Sequence, residues 1–314
     1  MSLSDFISVI VASHRPEYIA GCVESLRIAR KACPHSEIIV VADYQIQAWA
    51  GRFPDAFWVY HNHRGIPHKR NAGVARAQGN YIAFVDDDCR PAEHWLIHAL
   101  RYFGRHPDCA GVEGKTSIEN TACGSPMYTQ FKRLEKRGYR TNNIVYRKQV
   151  FYEAGGFDER FVYQREDIDL AFRILDLGYR IDYCEHMHIE HAFRADDSWD
   201  LLKNCWNRRF DPLLYQKHPR RSRDHFRSPW TPSLLTLGLG DLAAISLCLL
   251  RGKSTAATGC LLNGLVHIVV SQRHSRRMSA GSRMLSLLEF GLAPVVLALA
   301  LAHGSVRFRK LLLI

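Results

Sequence analysis

The chain has 314 residues, 47% of them apolar, enough for one large α/β domain plus an appendage with a substantial buried core. Its net charge of +11 is concentrated late, in Arg220-Arg221-Ser222-Arg223, Arg273 to Arg277 and Arg307-Phe308-Arg309-Lys310. Those clusters flank apolar stretches, with Phe308 the one Phe, Tyr or Trp among them, which argues against nucleic acid and for an anionic membrane surface. No charged, apolar leader is expected from Met1-Ser2-Leu3-Ser4-Asp5, and nine scattered cysteines without a C-x-x-C pair fit a reducing compartment.

The first 115 or so residues alternate strand and helix. Phe6 to Ala12 is a nearly unbroken β-branched run, the pattern of a strand buried on both faces. Pro16 and Glu17 then suit a helix start, and Ile19, Cys22, Val23, Leu26 and Ala29 share one helical face. Glu37 to Ala42 and Phe57 to Tyr60 read as strands, Lys69 to Ala77 as a short helix stopped at Gly79. Tyr81 to Val85 is a fourth strand that runs into three aspartates, followed by a helix from Pro91 to Phe103 and a strand at Ala110 to Glu113. Ser117 to Arg140 reads as an irregular loop. Asn143 to Arg147 is a strand, Gly155-Gly156-Phe157 a turn, Ile168 to Leu177 a helix capped by Gly178, and Arg180 to His191 a strand.

This alternation predicts a mostly parallel sheet with helices on both faces, with Asp43 and the triple aspartate on one edge at the carboxyl ends of the strands. The domain is expected to span 1–219, and 220–314 to form an apolar helical region that contacts a membrane. Ser233 to Leu250, Thr255 to Val270 and Met284 to Ala302 are apolar but short or interrupted by Asp241, Asn263, Glu289 and Pro294. Spanning helices, interfacial helices and a buried helical subdomain all fit that pattern.

Three constellations can carry chemistry. Asp86-Asp87-Asp88 places adjacent carboxylates at a strand end, where a hard divalent cation would neutralise them; a solvated acidic turn is the plainer alternative. Glu166 and Asp167 stand at a helix start, where the dipole favours an ionised carboxylate, either as a proton acceptor or as an N-capping pattern with Asp169 in the first turn. His186, His188 and His191 lie on one strand, the first two sharing a face; zinc ligation competes there with ordinary core or surface histidines. Lys69-Arg70-Asn71 reads as a phosphate contact or a solvated basic turn. Neither a G-x-x-x-x-G-K-[ST] loop nor a G-x-G-x-x-G fingerprint occurs, which removes the main support for ATPase and dinucleotide readings.

In order along the chain, five stretches resemble the family 2 glycosyltransferases, inverting enzymes of the GT-A fold. They are Val9 to Pro16; Asp43; Lys69 to Gly73; Tyr81 to Asp88; and Gly155 to Glu159 leading into Glu166-Asp167-Ile168-Asp169-Leu170, all within Phe6 to Pro219. The resemblance implies transfer of one sugar from a nucleotide-sugar donor, a UDP-sugar first, to a glycan or lipid-linked acceptor at the cytoplasmic face of the membrane, with Mg²⁺ or Mn²⁺. It implies that Ala12, Ser13, Arg15, Glu17, Asp43, Arg70, Asp86 and Asp87 bind the nucleotide, and that Asn143 approaches the donor sugar. Asp86, Asp88 and His191 would be metal ligands, and Asp167 the base, with Glu166 beside it.

Several features depart from the family pattern. Ser13-His14-Arg15 replaces the usual Thr-Tyr-Asn or Thr-Arg-Asn, Asp43-Tyr44 lacks a second acid, and the Q-x-x-R-W pattern of processive relatives is absent, so single transfer is expected. Arg208, Arg209 and Lys217 are candidates for a lipid-linked diphosphate. Two other readings remain: a sugar nucleotidyltransferase, which would release pyrophosphate, and a catalytically inactive membrane-tethered binding protein.

Overall fold

The computed structural model describes residues 5–63, 65–119, 131–193, 199–226, 228, 230–250, 253–275 and 280–312. They divide into two compact units, the first within Met1–Glu119 and Lys132–Phe193, the second within Asn120–Phe131 and Arg194–Ile314. The boundary expected near Pro219 thus falls earlier. The reason is packing: Leu201, Cys205 and Tyr215 join Leu237, Phe290 and Leu297 in one apolar cluster.

The first unit is built on eight strands, β1 (Ile7–Ser13), β2 (Ser36–Ala42), β3 (Phe57–Tyr60), β4 (Tyr81–Asp86), β5 (Cys89–Pro91), β6 (Cys109–Ile118), β7 (Asn143–Arg147) and β8 (Arg180–His191). They form one sheet in the order β3-β2-β1-β4-β7-β6-β8-β5. Its helices are α1 (Pro16–Ala32), α2 (Gln47–Arg52), α3 (Ile66–Val74), α4 (Trp95–Arg105), α5 (Lys148–Glu153) and α6 (Glu166–Asp176). Successive residues of β1 feed opposite cores: Val9 and Val11 pack with the α1 face and Trp95, while Ile10 packs with Val74, Phe84 and Leu170. That two-sided burial is what an uninterrupted apolar strand requires. The five residues expected on the α1 face are the five buried ones.

The parallel register sets Ala12 between Val41 and Asp86, so the ends of β1, β2 and β4 come level on one edge. The sheet is mostly parallel, with two strands running the other way: β7 pairs antiparallel with both β4 and β6, and β5 antiparallel with β8. β5 takes the start of the helix expected from Pro91, and α4 begins later, at Trp95. β6 continues to Ile118, into the expected loop; residues 120–130 of that loop lie outside the described residues. α3 begins at Ile66 and ends at Val74 rather than spanning Lys69 to Ala77. Gly79 is therefore not its cap. A Cβ there would lie 2.7 Å from Phe6 O and Ser8 N, so the residue is small because β1 passes against it. Gly178, by contrast, does follow α6 in the left-handed region, at φ +87.

The second unit contains α7 (Asp200–Asn207), α8 (Asp211–Lys217), α9 (Pro219–Phe226), α10 (Pro232–Leu250), α11 (Lys253–Ser275) and α12 (Ala280–Arg307). Within α10 and α12, Pro232–Leu249 and Met284–Arg307 are long and apolar enough to cross a membrane; the apolar part of α11, Ala257–Ser271, is shorter. Two of the polar interruptions, Asp241 and Asn263, pair with each other. Asn263 Nδ2 donates to Asp241 Oδ1 at 2.7 Å, and His267 Nε2 lies 2.8 Å from the same oxygen, joining α10 to α11. Meanwhile Leu242, Ile245, Leu249, Leu261, Leu265 and Leu299 are exposed. The side chains of the Arg273 to Arg277 cluster lie outside the described residues.

Among the described glycines of the first unit, backbone approach is tightest at Gly114, where the β6–β8 register shifts and an added Cβ would lie 2.2 Å from Met187 O and 2.5 Å from Asn143 Oδ1. Gly114→Ala is expected to destabilise the chain by about 1–3 kcal/mol. Gly104→Ala, in exposed helix with open space around it, should stabilise by roughly 0.5–1 kcal/mol. Denaturation midpoints check both, and equal shifts of the two would refute the close approach at Gly114.

Candidate active site

Four backbone segments meet at the carboxyl edge of the sheet: the β1–α1 turn, the end of β2, the Asp86–Asp88 turn after β4, and the start of α6. Helix α3 ties them together with three consecutive side chains. Lys69, fully buried, donates from Nζ to Ser13 O at 2.9 Å and to Asp43 Oδ2 at 3.2 Å. Arg70 donates from Nη1 to Glu166 Oε1 at 2.7 Å and from Nη2 to Asp86 Oδ1 at 2.8 Å. Asn71 brackets the Gly155–Phe157 turn, donating to Phe157 O at 2.9 Å and accepting from Phe157 N at 3.0 Å. The basic motif is therefore neither a solvated turn nor a set of free phosphate contacts. Two of its members are struts, and Arg70 is the link between the two acidic groups.

The residues expected to bind the nucleotide sort by what they touch. Asp87 Oδ2 accepts from Ser13 Oγ at 2.9 Å, His14 N at 2.9 Å and Arg15 N at 3.1 Å, so it shapes the β1–α1 turn from within. Ser13 Oγ also bonds Tyr44 Oη at 2.7 Å. Asp43 has His14 Nδ1 at 2.8 Å besides Lys69. Ala12 is half-buried beside Asp86, Arg15 is half-buried with its charge acting on Asp88, and Glu17 is exposed in the first turn of α1. Asn143 is turned into the framework: its amide donates to Lys115 O at 2.9 Å and Met187 O at 3.0 Å, and accepts from Trp95 Nε1 at 2.8 Å. Both its N–H groups and its carbonyl are engaged inside the protein.

Asp88 and His191 face each other, His191 Nε2 lying 3.4 Å from Asp88 Oδ1 with both side chains 4% exposed. His191 Nδ1 lies 2.9 Å from Ala192 O. A carbonyl only accepts, so Nδ1 carries a proton, and Nε2 meets the carboxylate either as an N–H donor or as a lone pair that a cation can share with it. Burial pushes the Asp88 carboxyl up to about 7, against His191 and with Asp86 and Asp87 adding to the rise. A carboxylate and a neutral imidazole, the latter oriented by a carbonyl, form a donor set that fits a divalent cation, and Asp86 stands next to it with 35% of its side chain exposed. His186 is exposed, stacked 5.4 Å from His98, and His188 Nε2 bonds Ser117 Oγ at 2.8 Å; among the described residues these two belong to no cluster of three potential ligands.

At the start of α6, Arg165 adopts φ +79, a left-handed conformation that costs a non-glycine residue free energy. Glu166 is buried, and its Oε2 has no hydrogen-bond partner. Burial, then Asp167, pushes its carboxyl up to about 7, opposed by Arg70. Asp167 is half-buried; its Oδ1 accepts from Ile168 N at 2.8 Å. Burial raises it above the ordinary aspartate value, while Arg140, the Ile168 N–H, Arg70 and Arg165 draw it down.

Glu113 carries a structural role that its sequence context does not signal. It accepts from the backbone N–H groups of Gly138, Tyr139 and Arg140 at 3.0–3.1 Å, and so holds the segment that carries Arg140 toward Asp167. Tyr44 and Cys89 are likewise site neighbours without a local pattern to announce them. In the second unit, Arg208 pairs with Asp211 at 2.5 Å and Arg209 lies over Trp206 and Phe210, while Lys217 ends α8.

Residues 8–159 match the family model described as glycosyl transferase family 2. The chain is 26% identical over 281 residues to the pre-mycofactocin glycosyltransferase of Mycobacterium tuberculosis, which covers 80% of this chain and 57% of that protein. It is thus similar to a little over half of that relative's length. It is 25% identical over 258 residues to the glucosyl-dolichyl phosphate glucuronosyltransferase of Haloferax volcanii, covering 69% of this chain and 80% of the relative. Among solved structures it is similar in fold to the mannosyltransferase PcManGT from Pyrobaculum calidifontis, solved with GDP-Man and Mn²⁺, at a TM-score of 0.60 and 16% identity, over 92% of this chain and 86% of that one. With its strand-end aspartates and helix-start acids gathered on the carboxyl edge of a GT-A sheet, the chain matches glycosyl transferase family 2 over residues 8–159, a little under half of its length.

Proposed function

We propose that this chain transfers a single glycosyl group from a nucleoside diphosphate sugar to an acceptor hydroxyl, with inversion, using Mg²⁺ or Mn²⁺ at the cytoplasmic face of a membrane. The observation that carries the reading is the Arg70 bridge, which joins Asp86 of the strand-end acids to Glu166, the neighbour of Asp167, in one cluster. The donor base is expected to be uridine; the fold relative that holds GDP-Man makes guanosine the second base to test.

Asp88 and His191, with Asp86 beside them, would hold the cation. When bound, it would offset the charge that builds on the departing diphosphate. The turn braced by Asp87 would present the backbone of Ser13 and Arg15 to the nucleotide. Asp167 would accept the acceptor hydroxyl's proton as that oxygen bonds to the anomeric carbon, on the face opposite the breaking carbon–phosphate-oxygen bond. Arg70 would keep Asp86 and Glu166 in place without strong like-charge repulsion. The lipid-linked acceptor and membrane location are supported by the exposed apolar faces of α10, α11 and α12 and by Arg220, Arg223, Arg307 and Arg309, which are exposed near them in sequence. A glycan or lipid-linked acceptor fits both this surface and the dolichyl phosphate substrate in the Haloferax relative's name.

Incubation with UDP- and GDP-sugars, Mg²⁺ or Mn²⁺ and membrane lipids should release nucleoside diphosphate; release of pyrophosphate instead would make the chain a nucleotidyltransferase. Asp167→Asn should lower kcat by about 10²–10⁴-fold with donor affinity nearly unchanged, and an equal loss in donor binding would make Asp167 a binding residue. Asp88→Ala should abolish the metal dependence of donor binding, and an unchanged metal titration would remove it from the ligand set. The base works ionised, so kcat should fall as pH drops through the raised Asp167 pKa, above the value of about 3.9 for a free aspartate. Arg140→Met removes a charge that lowers that pKa. The acid limb of the pH–kcat profile should then move upward; a limb that stays in place would separate Arg140 from the base.

A further inference from the structure

Beside Asp88 and His191 stands a third potential ligand that the proposed chemistry leaves unused. β5 pairs antiparallel with β8 so that Cys89 lies in register with His191. The Cys89 thiol lies 3.9 Å from Asp88 Oδ1. The Cys89 sulfur, an Asp88 oxygen and a His191 ring nitrogen all fall within 4.8 Å of one another, and all three residues are buried. Bonds of about 2.0–2.3 Å around a tetrahedral ion set ligand atoms roughly 3.3–3.8 Å apart, so a small inward shift of the side chains closes the set. Among the described residues this is the one cluster of three such groups.

Metal identity follows from ligand softness. Mg²⁺ and Mn²⁺ favour carboxylate oxygen and imidazole and have little affinity for a thiol, whereas Zn²⁺, Co²⁺ and Cd²⁺ gain strongly from thiolate sulfur. Cys89 also belongs to the apolar core beneath the site, with Val85, Trp95 and Ile189. A metal drawn onto its sulfur would therefore sit in a water-poor environment. We propose, on the reading of Asp88 and His191 as the catalytic cation's ligands, that Cys89 turns the same place into a Cys–His–Asp site for thiophilic divalent cations, Zn²⁺ foremost, which compete there with Mg²⁺ and Mn²⁺. The step balances without redox change: the Cys89 S–H bond breaks, its proton goes to solvent, a sulfur–metal bond forms, and the hard cation leaves.

The test titrates Co²⁺ and Zn²⁺ into the full chain in detergent, without donor. Wild type should show a sulfur-to-cobalt charge-transfer band that Zn²⁺ abolishes, and Zn²⁺ should release more protons than Mg²⁺ in weakly buffered solution. Cys89→Ser should lose the band, and the Zn²⁺-over-Mn²⁺ preference, read by Mn²⁺ paramagnetic resonance, should fall by about tenfold or more, since removing even an indirect partner of a metal costs roughly 10–100-fold. Proton release is measured on wild type, so the result stands even where the serine variant folds poorly. A missing band in a protein whose Mn²⁺ signal still depends on His191, tested with His191→Gln, would overturn the thiolate site alone. A band that persists in Cys89→Ser would also overturn it. An Mn²⁺ signal indifferent to His191→Gln would instead overturn the metal reading beneath it.

Discussion

The site depends on a buried guanidinium held between two carboxylates from distant parts of the chain. Arg70 is 4% exposed in its side chain, Glu166 7% and Asp86 35%. Burial alone disfavours the Arg70 charge, and the two acids more than restore it. Without Arg70, the acids after β4 and at the start of α6 would repel across a region with little water. Removing one partner of such a pair typically costs about 3–5 kcal/mol, because the remaining charge stays buried. The arrangement is therefore weak evidence for stability and stronger evidence for a constraint on geometry: it fixes Asp86 and the Glu166–Asp167 pair as one unit.

Around that unit the framework is cross-tied by buried polar side chains. Lys69 ties β1 to Asp43, Asn71 ties α3 to the glycine turn before α6, Asp87 braces the turn after β1, and Asn143 joins β6, β8 and α4. Each uses polar atoms that burial would otherwise leave unsatisfied, and each unsatisfied atom would cost about 1–3 kcal/mol. Polar residues in this fold thus serve two populations. One faces the edge of the sheet and can meet a ligand; the other holds the first in place.

The second unit follows a different physical rule. Its helices leave large apolar side chains exposed on α10, α11 and α12, far more than a soluble surface usually carries in one region. Two of the polar interruptions that weakened the membrane pattern in the sequence, Asp241 and Asn263, pair across α10 and α11, and His267 meets the same carboxylate, while Asn263 Oδ1 and His267 Nδ1 are buried without a hydrogen bond. Such pairing is the form in which ionisable groups persist among apolar helices.

The sequence by itself determined what depends on local periodicity. The two-sided burial of β1, the five-residue face of α1, and the limits of β3, β7 and β8 all follow from patterns a few residues long. The acids that Arg70 brings together were also legible as candidates, because strand-end aspartates and helix-start acids carry position-specific signals. Only the tertiary structure decided who meets whom. β5 has three residues, too few to show a period, yet it brings Cys89 into register with His191. Arg70 and Glu166 are 96 positions apart, and no local pattern links them. Asn143 and Asp87 look like ligand contacts in the chain and become struts in the fold, because an amide or carboxylate takes its role from the donors that burial presents to it. Those donors come from segments that only folding brings together.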